Sequence, residues 1–232
     1  MYHYEYVPKE DWRPVQDELL AIIHKLQNEV REYFTFQYQF VGSSSRNMIT
    51  RDPYNNIGFD FDINIEVNDP DEDYSAMEIR EILRKGLDKI TNPYGFPVFR
   101  YDYAENSTRV LTIKVKDRRN SRVKHSCDFC IINKCSDGRQ QYIRYNKSHN
   151  SFSWEYQPKG YQNLPDKIKW IKEHNLWQDV RERYLHNKNT NTDLNKHSRT
   201  IFAETINEIW QQNHRKRAQK CPPELPGRHQ LK

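Results

Sequence analysis

Residues 41–67 read Val-Gly-Ser-Ser-Ser-Arg-Asn-Met-Ile-Thr-Arg-Asp-Pro-Tyr-Asn-Asn-Ile-Gly-Phe-Asp-Phe-Asp-Ile-Asn-Ile-Glu-Val. The last part of this stretch alternates. Phe59, Phe61, Ile63 and Ile65 are apolar; Asp60, Asp62, Asn64 and Glu66 are polar. A strand sends successive side chains to opposite faces, so the apolar row faces a core and the polar row faces away from it. Asp60 and Asp62 then point the same way. At ~5 Å and an effective dielectric of ~20 their repulsion is roughly 3 kcal/mol. Such a pair calls for a cation, a neighbouring base or free access to water. Gly42-Ser43 opens the stretch, directly after Phe34–Val41, where aromatic and polar residues alternate and a further strand is expected.

Working outward, a chain of 232 residues is long enough for one large domain or two small ones. Charged residues make up 30% and hydrophobic residues only 35%, with aromatics at 13%, so much of the core is expected to be aromatic. The longest aliphatic run, Leu19–Ile23, is far too short to span a bilayer. The first residues lack the basic-then-apolar layout of a secretory signal, and the expected location is cytoplasmic. A net charge of +5 is compatible with anionic ligands such as nucleotides or RNA without selecting them. Four cysteines in a chain of this size make no disulfide framework and are read as thiols.

The pattern predicts a helix from Pro14 to about Tyr33, with Leu19, Ile22, Ile23, Leu26 and Val30 on one face. The strand 34–41 follows, then Gly42 with Ser43–Ser45 as N-cap candidates, a loop over 52–56, and the strand 57–67. A helix is expected over about 72–91, ended by Asn92-Pro93-Tyr94-Gly95. Strands are expected at Val98–Tyr103, Thr108–Val115, His125–Lys134 and Gln141–Tyr145, with a basic loop over Lys116–Lys124. Residues 148–163 have no period and read as a linker or long loop. Helices follow at about 165–175, 177–187 and 196–213. The fold class is therefore α+β, a mixed sheet with flanking helices followed by a helical lobe. The expected organisation is a core over 1–147, a linker over 148–163, a helical lobe over 164–213 and a basic, disordered tail over 214–232.

One further acid belongs with the pair. Asp128 stands alone in the otherwise apolar run Cys127–Ile132. A buried carboxylate is costly unless paired or metal-bound. If its strand lies beside 57–67, three carboxylates share one sheet face and suit hard cations such as Mg2+. The set Phe40-Val41-Gly42-Ser43, Asp60-Phe61-Asp62-Ile63 and Cys127-Asp128-Phe129 resembles the DNA-polymerase-β-like nucleotidyltransferase superfamily. The resemblance covers about 14–135 and leaves the subfamily open, between oligonucleotide-messenger synthases and small drug- or toxin-type transferases. It implies transfer of a nucleoside monophosphate from an NTP to an acceptor hydroxyl or phosphate, with release of pyrophosphate. It also implies two Mg2+ (or Mn2+) ions. Asp60 and Asp62 would hold both, and Asp128 would hold one and help activate the acceptor. Gly42 and Ser43 would hold the triphosphate, with Arg46 nearby. The gap from Ser43 to Asp60 is longer than the family pattern, so the loop around Asp52–Asn56 is this chain's own.

Lys196 and Ser198, at the start of the last expected helix, are further candidates for phosphate contacts. Trp154, Tyr156 and Tyr161 could stack on a base, and the loop 116–124 could meet phosphates. A zinc site from His125, Cys127, Cys130 and Cys135 is disfavoured, because Cys127 and Cys130 face opposite sides of a continuous strand. The alternative function is a non-catalytic module that keeps the fold and binds nucleotide or RNA. The acceptor (nucleotide, RNA, protein or small molecule), the preferred base, the oligomeric state and any activator are not written in the motifs.

Overall fold

The computed structural model describes residues 2–91, 101–158 and 163–220, with side chains to 214. The chain forms two compact units, Tyr2–Pro158 and Lys159–Lys232. In the first, the elements run β1 (Glu5–Tyr6), α1 (Lys9–Val30), β2 (Thr35–Val41), a 3-10 turn (Ser44–Arg46), β3 (Thr50–Arg51), β4 (Phe59–Asn68) and α2 (Ala76–Thr91). They continue with β5 (Glu105–Asn106), β6 (Val110–Asp117), β7 (Arg122–Lys134), β8 (Gln140–Asn146) and β9 (Ser151–Tyr156). The second unit holds α3 (Leu164–Glu173), α4 (Trp177–Thr190) and α5 (Ser198–Lys220).

The main sheet has the order β2-β4-β7-β6-β5, with β8 added to β7 and β9 to β8. β4 and β7 are parallel and the other neighbours antiparallel, which makes it the mixed sheet expected of the sequence. Alternation sorts its residues. Phe59, Phe61, Ile63 and Ile65 of β4, Cys127, Phe129 and Ile131 of β7, and Leu111 and Ile113 of β6 are buried in one core. The same core takes Leu19, Ile22, Ile23 and Leu26 of α1 and Ile79, Leu83 and Leu87 of α2. Both helices therefore cover one face of the sheet. The other face carries the polar residues of the same strands.

Arg80 of α2 is wholly buried. It donates to the carbonyls of Ser107 (2.6 Å), Val110 (2.8 Å) and Ile143 (3.2 Å) and to Asn106 Oδ1 (2.9 Å). Burial pulls its pKa down to about 10. Four polarised oxygens, with the Glu81 charge adding to them, compensate the buried cation.

Several boundaries differ from the sequence reading. α1 begins at Lys9, and Pro14 lies inside it. Pro14 is the sixth residue of the helix, past the four donors that have no intrahelical partner, so it forgoes the N–H bond to Glu10 O and does not mark the first residue. α2 begins at Ala76 because Ser75 and Glu78 form a capping box. Ser75 N–H donates to Glu78 Oε2 (2.9 Å) and Glu78 N–H to Ser75 Oγ (3.3 Å). The stretch 148–163 is not all linker: β9 crosses it and pairs with β8 from Gln141↔Tyr156 to Asn146↔Ser151. Its Ser-Phe-Ser-Trp alternation is short enough to be masked by the polar residues around it. α5 continues to Lys220, so the stretch 214–220 is helical. The rest of the expected tail, the helix end at 92–95 and residues 98–100 lie outside the described residues. At the described end of the Val98–Tyr103 strand, Tyr101 bridges Val115 antiparallel.

In the second unit, Ile171 of α3, Val180 and Tyr184 of α4, and Ile201, Phe202, Ile206 and Ile209 of α5 are buried. Phe202 makes edge contacts to Trp177 (6.4 Å between ring centroids) and Tyr184 (6.0 Å). Among the described residues no helix is long and apolar enough to cross a membrane.

Candidate active site

The parallel pairing of β4 with β7 sets Asp62 directly opposite Asp128, and Asp60 opposite Ser126. The antiparallel pairing of β2 with β4 sets Val41 opposite Asp62, so the strand before Gly42 ends at the acids. β6 places Thr112 opposite Asp128. Thus Asp60, Asp62 and Asp128 share the polar face of the sheet, with Asp62 and Asp128 side by side. Thr112 Oγ1 donates to Asp128 Oδ1 at 2.6 Å.

Gly42 turns the chain over this face at φ +66°. A Cβ there would lie 2.0 Å from Asp62 Oδ2, so only glycine lets the backbone come this close to the carboxylate. The following turn is internally braced: Ser44 Oγ donates to Val41 O (2.9 Å) and Ser45 Oγ to Gly42 O (3.0 Å). Ser43 instead uses its carbonyl, which accepts from Arg46 N–H (3.2 Å) and Met48 N–H (2.9 Å), and makes no side-chain cap. Gly58 serves at the other end. A Cβ there would meet the backbone oxygens of Val123 and Lys124 at 2.3 and 2.4 Å, so β4 starts pressed against β7.

The electrostatics follow from this packing. Burial raises Asp62, and the Asp60 and Asp128 charges raise it further, to about 7, against a smaller pull from Arg46. Burial also raises Asp128, with Asp60 adding to it, while the Thr112 hydrogen bond and Lys114 act the other way. Excess negative potential is thus concentrated at Asp62. Among the described residues, no three His, Cys, Asp or Glu side chains are gathered closely enough to hold a metal ion as they stand. Asp128 is turned toward Thr112, and Asp62 lies against Gly42. The donor set nevertheless fits a hard divalent cation: it is all carboxylate oxygen, and its mutual repulsion is the kind that such an ion relieves.

Solved structures share this architecture. The Bradyrhizobium diazoefficiens CD-NTase CdnG, in complex with GTP, matches over 92% of this chain and 72% of its own, with a TM-score of 0.55 at 11% identity. The cyclic dinucleotide synthase CdnE of Elizabethkingia meningoseptica, with GTP and Apcpp, matches over 83% and 68%, with a TM-score of 0.50 at 14% identity. Vibrio cholerae DncV in its 3'-deoxy ATP-bound form matches over 88% of this chain, with a TM-score of 0.53 at 12% identity. The chain spans about half of that protein, 53%. The chain has the nucleotidyltransferase fold. No family model matches its sequence, and no curated protein sequence does.

An N-terminal brace has no cue in the sequence. β1 pairs with β3, Glu5 opposite Arg51. Arg51 also bonds Glu5 and Asp11, both at 2.7 Å. The expected extra loop is a closed hairpin, with Asp52 and Ile57 exchanging both backbone hydrogen bonds at 2.9 Å. The wholly buried Asp52 carboxylate accepts from His3 N–H (2.7 Å), Asn55 N–H (3.0 Å) and Asn55 Nδ2 (2.7 Å). Burial raises its pKa, but these bonds outweigh that and hold it below the usual range. Thr112 and Lys114 were also missed. Their signal was the alternation of β6, legible only once its register with β7 is known.

Lys196 and Ser198 belong to the second unit. Lys196 Nζ pairs with Glu204 at 2.6 Å, and Ser198 is the first residue of α5. In the basic loop, Lys116 pairs with Asp102 at 2.6 Å and Arg118 with the same acid at 3.4 Å. Trp154 packs against the core and Arg139 stands over Tyr156 at 3.9 Å, while Tyr161 lies outside the described residues. β7 is one continuous strand with Cys127 fully buried on the core side, which separates it from Cys130 and leaves the zinc arrangement without support.

Proposed function

We propose that this chain transfers a nucleoside monophosphate from an NTP to the hydroxyl of a nucleotide acceptor, releasing pyrophosphate, with Mg2+ or Mn2+. One observation carries the reading. Three carboxylates lie on one sheet face, Asp62 beside Asp128, directly under a Gly-Ser turn in which a side chain at position 42 would displace Asp62. Asp60 and Asp62 would hold two ions and Asp128 one of them. When bound, such ions neutralise charge on the phosphates and on the attacking and leaving oxygens.

The chain's own residues do the rest. The Gly42 turn and the Ser43 hydroxyl hold the triphosphate, with Arg46 supplying positive charge beside Asp62. Asp128, steadied by Thr112, takes the proton of the acceptor hydroxyl. The acceptor oxygen bonds to the α-phosphorus as the bond to the bridging oxygen breaks, and pyrophosphate leaves. Lys196 and Ser198 are proposed as phosphate contacts. Lys196→Met then raises KM for the NTP several-fold with little change in kcat, as expected for a residue that binds ground and transition states alike. Support for a nucleotide acceptor comes from the neighbours, one of them a cyclic dinucleotide synthase seen with GTP and Apcpp. The test is to mix the protein with all four NTPs and Mg2+ or Mn2+ and identify products by mass spectrometry. Linear or cyclic oligonucleotides are expected. Turnover that appears only on adding a protein, RNA or drug would overturn the nucleotide acceptor.

A further inference from the structure

The polar face does not end at the acids. One pleat further along, Asn64 pairs with Gln39 on one side and Cys130 on the other. Another pleat on, Glu66 pairs with Gln37 and Ile132. Gln37, Gln39, Asn64, Glu66, Ile132 and Lys134 line a cavity of about 190 Å3. Pockets that take a whole drug-sized ligand run to roughly 300–1,000 Å3, so this one suits a flat ring and not a complete nucleotide. Glu66 and Lys134 close its far end as an ion pair, and Ile132, 3% exposed, provides an apolar wall. No other side chain or backbone group among the described residues takes up the three carboxamides of Gln37, Gln39 and Asn64.

Residues two apart on a strand are about 6.6–6.8 Å apart. The Gln39–Asn64 row therefore begins about that far from the Asp62–Asp128 row. That is the order of the distance from a ribose hydroxyl to the edge of its own base. A carboxamide offers a donor beside an acceptor, the pattern that matches adenine N7 and N6, whereas guanine shows two acceptors on the same edge. We propose that this cavity is a nucleobase subsite, in which Asn64 and Gln39 read the edge of an adenine whose ribose hydroxyl lies at the three acids. This rests on the nucleotidyl-transfer reading and names the acceptor's base.

The test is binding, which needs neither metal nor turnover. AMP, GMP, CMP and UMP are titrated into the full chain while the side-chain amide signals of Asn64 and Gln39 are followed by NMR. AMP is expected to shift both signals saturably and GMP to leave them in place at the same concentration. Asn64→Leu combined with Gln39→Leu should weaken AMP binding at least about tenfold, the equivalent of 1.4 kcal/mol. Gln39→Leu alone, on the exposed edge strand, guards against a double variant that fails to fold and should show a smaller loss. Amides unmoved by all four nucleotides, or AMP binding unchanged in the folded variants, would overturn the subsite. AMP binding here in a chain that releases no pyrophosphate would leave the subsite standing and sink nucleotidyl transfer. Turnover with silent amides would do the reverse.

Discussion

Asp62 is where fold and function pull against each other. Its carboxyl is held at about 7 by burial and by the two neighbouring acids. An acid with a folded pKa above its unfolded value binds more protons folded than unfolded. Its contribution favours the fold at low pH and is lost as pH rises from about 4 to about 7. The metal-free protein should therefore lose stability over that window, measured by denaturant melts at a series of pH values. Asp62→Asn removes the charge but keeps the shape. In the absence of metal at pH 8 it should be more stable than wild type, by on the order of 1–3 kcal/mol, while losing roughly 10^3-fold or more in nucleotidyl transfer. A destabilised Asp62→Asn at pH 8 would mean that the carboxylate is already compensated. Gly42→Ala makes a second residue-scale test. The left-handed backbone alone costs about 1–2 kcal/mol, and the new methyl would displace Asp62 from its position 2.0 Å away. Activity should fall much further than the loss in melting temperature implies.

At the scale of elements, the sheet was legible because its strands alternate. Phe59 to Glu66 fixes both a strand and the face of each residue, and β4 keeps that pattern almost throughout. The acids could be gathered in advance only as a condition, that the Asp128 strand lie beside β4, since pairing between strands about sixty residues apart leaves no local mark. The same blindness hid Thr112, Lys114 and the carboxamide row, whose significance comes from register. It also hid β1, two residues long, and the Ser75–Glu78 box, overshadowed by the stronger turn signal of Asn68-Asp69-Pro70. Arg80 looked in sequence like any helix arginine; burial and four acceptors make it a clamp between α2 and the sheet. Arg80→Met fills similar space but strands three carbonyls and Asn106. It should cost about 3 kcal/mol or more, read from urea melts, whereas an exposed arginine changed in the same way should move stability by under ~0.5 kcal/mol.

At the scale of the whole molecule, two compact units carry the candidate residues: the acids and the Gly-Ser turn in Tyr2–Pro158, Lys196 and Ser198 in the second unit. The loss of period after residue 147 reads as a linker, and β9 lies within that stretch. Because the acids repel one another, a bound divalent cation should stabilise the fold as mass action requires, by about 2.7 kcal/mol at a hundred times its dissociation constant. The melting temperature should rise with Mg2+ or Mn2+ at pH 8, and the rise should shrink in Asp60→Asn and Asp62→Asn.

The central claim is that Asp60, Asp62 and Asp128 act together in nucleotidyl transfer, and its most direct test is the rate of pyrophosphate release. Wild type, Asp60→Asn, Asp62→Asn and Asp128→Asn are compared with all four NTPs and Mg2+ or Mn2+ at pH 8, each variant first shown to be folded. The account predicts metal-dependent release by wild type and a loss of roughly 10^3-fold in each variant. Equal rates in wild type and any folded variant, or no release by wild type with any NTP and metal, would contradict it.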